Sequence, residues 1–242
     1  MMSDKEKLEK LEKEFEEFLY IISHDFAAPI RHIKGFVSII QHDGKDQLDP
    51  QLSNYLNNIS KSGDHLDAML QGLLTLSRIN TRPGEKVETS LKGLFEAAWE
   101  RELRDIRPDD AKLTITELPV FVGDENRLLH AFQAILENCI LYRKLDLALE
   151  IDISYKDHGQ MHIVSIKDNG TGVNIPSVER VLRPFYRAVP SSAQPGLGMG
   201  LAIAKKIIEH HGGLIEIGNL EKSGTEVTIY LPVVSPDQKL AS

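Results

Sequence analysis

The sequence predicts an α+β protein in two parts: a helical hairpin, then an α/β sandwich with helices on one face of a largely antiparallel sheet. Three observations carry this expectation. Apolar residues recur at helical spacing, without strand-like alternation, through the first third of the chain. RPGE at 82–85 then interrupts that pattern. Beyond it, β-rich runs and amphipathic runs follow one another in a mixed order.

The first helix opens with Leu8, Leu11, Phe15, Phe18 and Ile22 at alternating steps of three and four, a coiled-coil seam with Glu and Lys outside. The seam continues through Phe26, Ile30, Ile33, Val37 and Ile40, but steps of four from Phe18 to Ile30 interrupt the heptad. Inside this stutter stands SHDFAAPIRHIKGF. His24 is two positions from both Ile22 and Phe26, so it points roughly 200° away from each and faces outward. Pro29 cannot donate to the carbonyl of Asp25, which loosens the helix just beyond the pair. HDGKDQLDP, 42–50, carries turn and N-cap chemistry, and a second helix is predicted with Leu52, Leu56, Ile59, Leu66, Leu70 and Leu73 on its apolar face. Two such helices bury too little alone, so a homodimer closing a four-helix bundle is expected. The domain reading is a coiled-coil input linker at 1–18, the hairpin domain at 19–82, the sandwich at 86–235 and a tail at 236–242. The charged start reads as the stub of a linker from an upstream sensor domain not in this chain.

In the second part, LKGLFEAAWERELRD, DENRLLHAFQAILENCILYRK and GLAIAKKIIEHHGG have helical patterning. LTITELP, LEIDISYK, MHIVSIKD, LIEIG and TEVTIYLP read as strands. The totals exclude several functions. A net charge of −8 with no basic stripe argues against nucleic acid. The single cysteine, Cys139, rules out an intrachain disulfide and fits a reducing compartment. No apolar run approaches the roughly 18 residues of a membrane span, and MMSDKEKLEKLEKEFEEF is unlike a signal peptide. A cytoplasmic protein is expected.

Four stretches of the second part carry chemistry. DNGTG puts Asp168 at a strand end before glycines, which suits a hydrogen-bond donor lying against the backbone. GLGMGLAIAKKI is a glycine-rich loop opening a helix, whose free amides attract phosphate, although it is neither G-x-G-x-x-G nor a P-loop. ENCILYR places Asn138, a hard oxygen ligand, beside Glu137. RPFYRA sets an aromatic–basic stretch between the glycine motifs. Taken singly, each reads equally as a turn, a surface loop or a solvated helix face.

Together with SHDFAAP, and in this order, the four resemble the histidine kinases of two-component signalling across the whole chain. SHDFAAP is similar to the phosphoacceptor motif, ENCILYR to the asparagine box, DNGTG and GLGMGLA to the two glycine boxes, and RPFYRA to the phenylalanine box. The stretch around SHDF further resembles the kinase modules of bacterial phytochromes. The resemblance implies a Bergerat-type ATP-binding fold and ATP-dependent autophosphorylation on His24. Phosphotransfer to an aspartate of a response regulator receiver domain would follow. It implies Asp25 as the carboxylate that orients the imidazole and takes its proton, and Asp168 as acceptor for the adenine amino group. Gly170 and Gly172 would lie against the base, Asn138 would hold Mg²⁺, and Gly196, Gly198 and Gly200 would form the phosphate loop. Residues 189–195 would be a lid, and Arg187 a γ-phosphate contact.

Three departures qualify this. Ala134 stands where the family has a second Asn. Leu141 stands where it has a Lys, with Arg143 or Lys144 as substitutes in charge. Each loss is worth about 1–3 kcal/mol as a charge-assisted contact. Ala28 stands where a Thr or Asn serves dephosphorylation of the partner; a methyl cannot orient water, so phosphatase activity toward a phosphorylated regulator is expected to be weak or absent. The alternative function is a degenerate kinase acting as a nucleotide-binding scaffold or phosphotransfer module. A hydrolytic ATPase of the same superfamily needs a Glu where this chain has Ala134.

Overall fold

The computed structural model describes residues 4–44, 48–81, 84–102, 110–173, 178, 180–188, 196–221 and 223–233. The chain divides into two units, Met1–Arg82 and Pro83–Ser242. The first is a hairpin of α1, Asp4–Asp43, and α2, Pro50–Thr81. α1 runs unbroken across Pro29. α2 starts where its sequence dictates: the Asp49 carboxylate accepts from the Leu52 amide at 2.8 Å, and Pro50, which has no amide to satisfy, takes the first helical position. The helices lie antiparallel, aligned by Lys34 Nζ on Asp64 Oδ1 at 2.7 Å and by Gln41 Nε2 donating to Asn57 Oδ1 at 2.8 Å.

The predicted seam is divided in the structure. Within the hairpin, α1 buries Ser23, Ala27, Ile30 and Val37 against Leu56, Leu70, Leu74 and Ile79 of α2. Phe26, Ile33 and Ile40, expected on the same row as Ile30 and Val37, are exposed, as are Leu52, Ile59 and Leu66. Each helix thus carries two apolar stripes, one facing its hairpin mate and one facing outward. Hydrophobicity alone does not say which is which. Ser23 is fully buried, and its hydroxyl has no hydrogen-bond partner among the described residues.

The second unit runs β1 (Lys86–Ser90), α3 (Leu91–Glu102), β2 (Ala111–Ile115), β3 (Val120–Asp124), α4 (Glu125–Leu141), β4 (Leu149–Asp157), β5 (Met161–Asp168), α5 (Gly200–His210), β6 (Leu214–Asn219) and β7 (Thr225–Pro232). Five strands form a mixed sheet in the order β2-β4-β5-β7-β6. β2 and β4 are parallel, and the other neighbours are antiparallel. Alternate residues such as Ile151, Ile153, Ile166 and Ile229 are buried, the period-2 signature of a sheet covered on one face. Phe95 of α3 stacks on Phe132 of α4 with ring centroids 3.9 Å apart and planes within 6°. Burial of such side chains contributes about 1.5–3 kcal/mol each.

Two strands lie outside the sequence expectation. β1 pairs antiparallel with β3 in a separate two-stranded ribbon. KVETS is too polar to read as a strand, and VFVGD abuts the helix it introduces. That helix begins one residue later than expected because Asp124 is its N-cap, accepting from the Arg127 amide at 3.1 Å. It ends at Leu141, with Tyr142 as its C-cap, rather than continuing to Lys144. α3 ends at Glu102; the expected extension to Asp105 falls outside the described residues.

α4 and α5 run antiparallel. A Cβ placed on Gly200 would sit 3.5 Å from the Ala134 methyl, so the two backbones approach closely at that end. At the other end the buried His211 joins them: its Nε2 accepts from the Asp124 amide at 3.0 Å, and its Nδ1–H donates to the Ile207 carbonyl at 2.7 Å. This arrangement requires a neutral ring, and burial lowers the His211 pKa from its ordinary value. Below about pH 6.5 the unfolded chain therefore takes up a proton that the folded ring resists, and stability falls as pH falls. His130, His162 and His210 are lowered by burial in the same direction. Urea unfolding followed by Trp99, the single tryptophan and a residue of this unit, is expected to show a falling midpoint from pH 7.5 to 5.5. His211→Gln is expected to flatten that dependence, whatever its cost at neutral pH.

Candidate functional site

On the helical unit, the imidazole of His24 is 74% exposed, as the helical phase of the sequence requires. Its Nδ1 lies 3.2 Å from Asp25 Oδ1. The ring of Tyr20, one turn earlier, stacks on the imidazole with centroids 6.4 Å apart and planes at 24°. The position of Ala28, one turn after His24, is half-buried and apolar.

On the second unit, a cavity of about 340 Å³ opens between α4, the loop after β5 and the start of α5. Asp168, at the end of β5, lines it and is buried. The Asp168 carboxylate accepts through Oδ1 from the amides of Gly170, at 2.8 Å, and Thr225, at 3.2 Å. Burial pushes its pKa up, and these amides partly offset that. The Cys139 thiol also hydrogen-bonds this carboxylate; burial first, then the charge of Asp168, holds the thiol well above the usual range. Val173, Ile217 and Val227 supply apolar walls, so the cavity pairs an apolar lining with the buried carboxylate of Asp168.

The loop around Asp168 is fastened on three sides. Asn169 accepts from the Glu150 amide at 3.0 Å and donates to the Ala148 carbonyl at 2.9 Å. The Thr171 amide donates to the Tyr142 carbonyl at 3.0 Å. Asn219 accepts from the Val173 amide at 2.7 Å. Gly170 is buried against the Tyr142 carbonyl, and Gly172 lines the cavity.

Gly196, Gly198 and Gly200 line the opposite wall. Gly198, at φ +71°, is pressed against RPFYRA: a Cβ there would lie 2.4 Å from the Tyr186 carbonyl oxygen. Arg187 lines the cavity and donates from Nη1 to the Gly196 carbonyl at 2.6 Å. α5 begins at Gly200 at the cavity edge, and its N-cap residue Met199 supplies no side-chain cap to the first amides. The expected lid, 189–195, falls outside the described residues.

Asn138 and Glu137 line the cavity beside Asp168, as do Ala134 and Leu141. One amide oxygen and one neighbouring carboxylate fit Mg²⁺, which keeps waters and phosphate oxygens in its shell and needs few protein ligands. Arg143 does not take the place of the missing lysine. Its Nη1 donates to the Ile140 carbonyl at 2.8 Å at the end of α4, and neither Arg143 nor Lys144 lines the cavity. Sequence reasoning missed Cys139, Thr225 and Asn219. The one available signal was the SGT turn before the last strand.

A histidine-bearing hairpin followed by a sandwich with a glycine-walled, carboxylate-floored cavity defines a phospho-acceptor domain joined to an ATPase-like domain. Family models agree: residues 16–82 match the His Kinase A (phospho-acceptor) domain, and 123–235 match the histidine kinase-, DNA gyrase B- and HSP90-like ATPases. The chain belongs to the histidine kinase family. Over 93% of its length it is 30% identical to the methanogenesis regulatory histidine kinase FilI of Methanothrix harundinacea, covering 25% of that protein. It is also 26% identical to cyanobacterial phytochrome A of Nostoc, again over 93% of this chain and 29% of that one. The chain thus spans under a third of these relatives. Among solved structures, full-length ShkA with AMPPNP aligns at TM-score 0.64 and 20% identity, covering 91% of this chain and 47% of that one. The histidine kinase ThkA in complex with the response regulator protein TrrA aligns at TM-score 0.64 and 22% identity, over 95% and 66% respectively. Among the described residues no helix is long and apolar enough to cross a membrane.

Proposed function

We propose that this chain is the kinase core of a two-component sensor, which autophosphorylates His24 from ATP and passes the phosphoryl group to an aspartate of a receiver domain. The observation that carries this reading is the exposed His24 ring with its Nδ1 held by Asp25, in a chain whose other unit has an Asp168-floored cavity. With Nδ1 bearing the proton, Nε2 keeps its lone pair. That pair attacks the terminal phosphorus, the bond from phosphorus to the bridging oxygen breaks, and ADP leaves with the electrons. The Nδ1 proton moves toward Asp25, which stabilises the imidazolium. In the cavity, Asp168 accepts from the adenine amino group, the apolar walls hold the ring, and Arg187 with the first amides of α5 receives phosphate. Mg²⁺ bound at Asn138 would neutralise phosphate charge.

The outward stripe of Phe26, Ile33, Ile40, Ile59 and Leu66 supports a homodimer in which two hairpins close a four-helix bundle. A need for ATP supports a cytoplasmic site for the reaction. A second reading, a degenerate kinase serving as scaffold or phosphotransfer module, is favoured by Ala134 and Leu141 at the cavity wall. Incubation with γ-labelled ATP separates the two. Acid-labile, alkali-stable label that disappears in His24→Gln is the expected result; no label, with receiver binding intact, would establish the scaffold.

A further inference from the structure

We propose that Tyr20 is a positioning residue for His24, holding the imidazole so that Nε2 rather than Nδ1 meets the phosphoryl donor. The inference rests on His24 being the phosphoacceptor and adds a residue to its machinery. An exposed histidine on a helix otherwise has freedom about both side-chain torsions, and a ring 74% exposed has little packing to restrain it. Long helical side chains lean toward the preceding turn, which brings His24 over the residue four positions earlier. That residue is Tyr20, itself 47% exposed, and its ring lies near-parallel to the imidazole at 6.4 Å and 24°, an offset stack. Asp25 approaches Nδ1 from the next position, at 3.2 Å. The stack fixes the plane of the ring and the carboxylate fixes which nitrogen is engaged; neither restraint does both. Without the aromatic face, the ring turns about its torsions and leaves Asp25 for part of the time.

A purely packing role for Tyr20 predicts that leucine and phenylalanine serve equally; positioning predicts that only phenylalanine does. The 242-residue wild type, Tyr20→Phe and Tyr20→Leu are compared with two donors, ATP–Mg²⁺ and the small-molecule donor phosphoramidate, which needs no nucleotide site. Tyr20→Leu is expected to lower the autophosphorylation kcat about fivefold, with KM for ATP unchanged. With phosphoramidate it is expected to move label from Nε2 to Nδ1, read by phosphorus NMR, while Tyr20→Phe follows wild type in both assays. Leucine and phenylalanine variants with the same kcat and the same Nε2 share would overturn the proposal, as would failure of phosphoramidate to label wild-type His24. Absence of ATP labelling in all three, with the phosphoramidate difference present, would leave the role of Tyr20 standing and refute the kinase reading instead.

Discussion

Asp168→Asn is expected to weaken ATP binding about a hundredfold or more and to remove ATP-derived label from His24, with the fold intact. Both amides that reach the carboxylate, from Gly170 and Thr225, meet Oδ1. An asparagine that satisfies the same two donors keeps its oxygen there and turns its NH₂ to where Oδ2 was. The adenine amino group then faces a donor instead of an acceptor. Loss of a charged acceptor combined with a donor–donor opposition is worth more than deletion of a neutral hydrogen bond. Stability moves the other way: burial disfavours the carboxylate charge, so the neutral amide is expected to leave the thermal midpoint unchanged or slightly higher. Isothermal titration with ATP and a melt followed by Trp99 read the two effects separately. Near-native affinity in this variant would show that Asp168 does not receive the base.

Gly224→Ala is expected to cost at least about 3 kcal/mol of stability. Gly224 precedes β7 at φ +101°, and a Cβ there would lie 1.9 Å from the Asp168 carbonyl oxygen and 2.9 Å from its carbon. Neither atom belongs to a side chain that can swing aside. Relief requires β5 and β7 to part where Thr225 reaches the Asp168 carboxylate, so the nucleotide site is expected to fail with the sheet. Gly159 is the matched control: its φ is also positive, +71°, but a Cβ there meets nothing within 4 Å. Gly159→Ala is expected to cost about 1 kcal/mol. Similar denaturation midpoints for the two variants would refute the steric argument.

The contrast between these glycines shows what the sequence could and could not disclose. Asp168, Gly170 and Gly172 stand together in DNGTG, and the strand end and turn are local, so they were legible. Thr225, Cys139 and Asn219 reach the same place only through the pairing of β7 with β5 and β6 and the packing of α4 beneath them, and no spacing encodes that. The hairpin gave its helices and the Asp49–Pro50 start plainly, because caps and periodicity are local. It hid which apolar stripe faces inward, since Phe26 and Ile30 are equally hydrophobic and only the mate decides between them. β1 escaped because an edge ribbon needs little hydrophobicity, and β3 because it passes into α4 without a turn. Arg143 looked available by charge, yet the last carbonyls of α4 attract the guanidinium first.

The contact of His211 with Asp124 lies at the far end of α4 and α5 from the cavity, which sits where Asn138 and Gly200 face each other. The two helices are thus held at both ends, by the His211–Asp124 hydrogen bond at one and by the close approach of Gly200 to Ala134 beside the cavity at the other. His211 does not line the cavity, yet its loss is expected to weaken ligand binding there by loosening the α4–α5 pair that forms one wall.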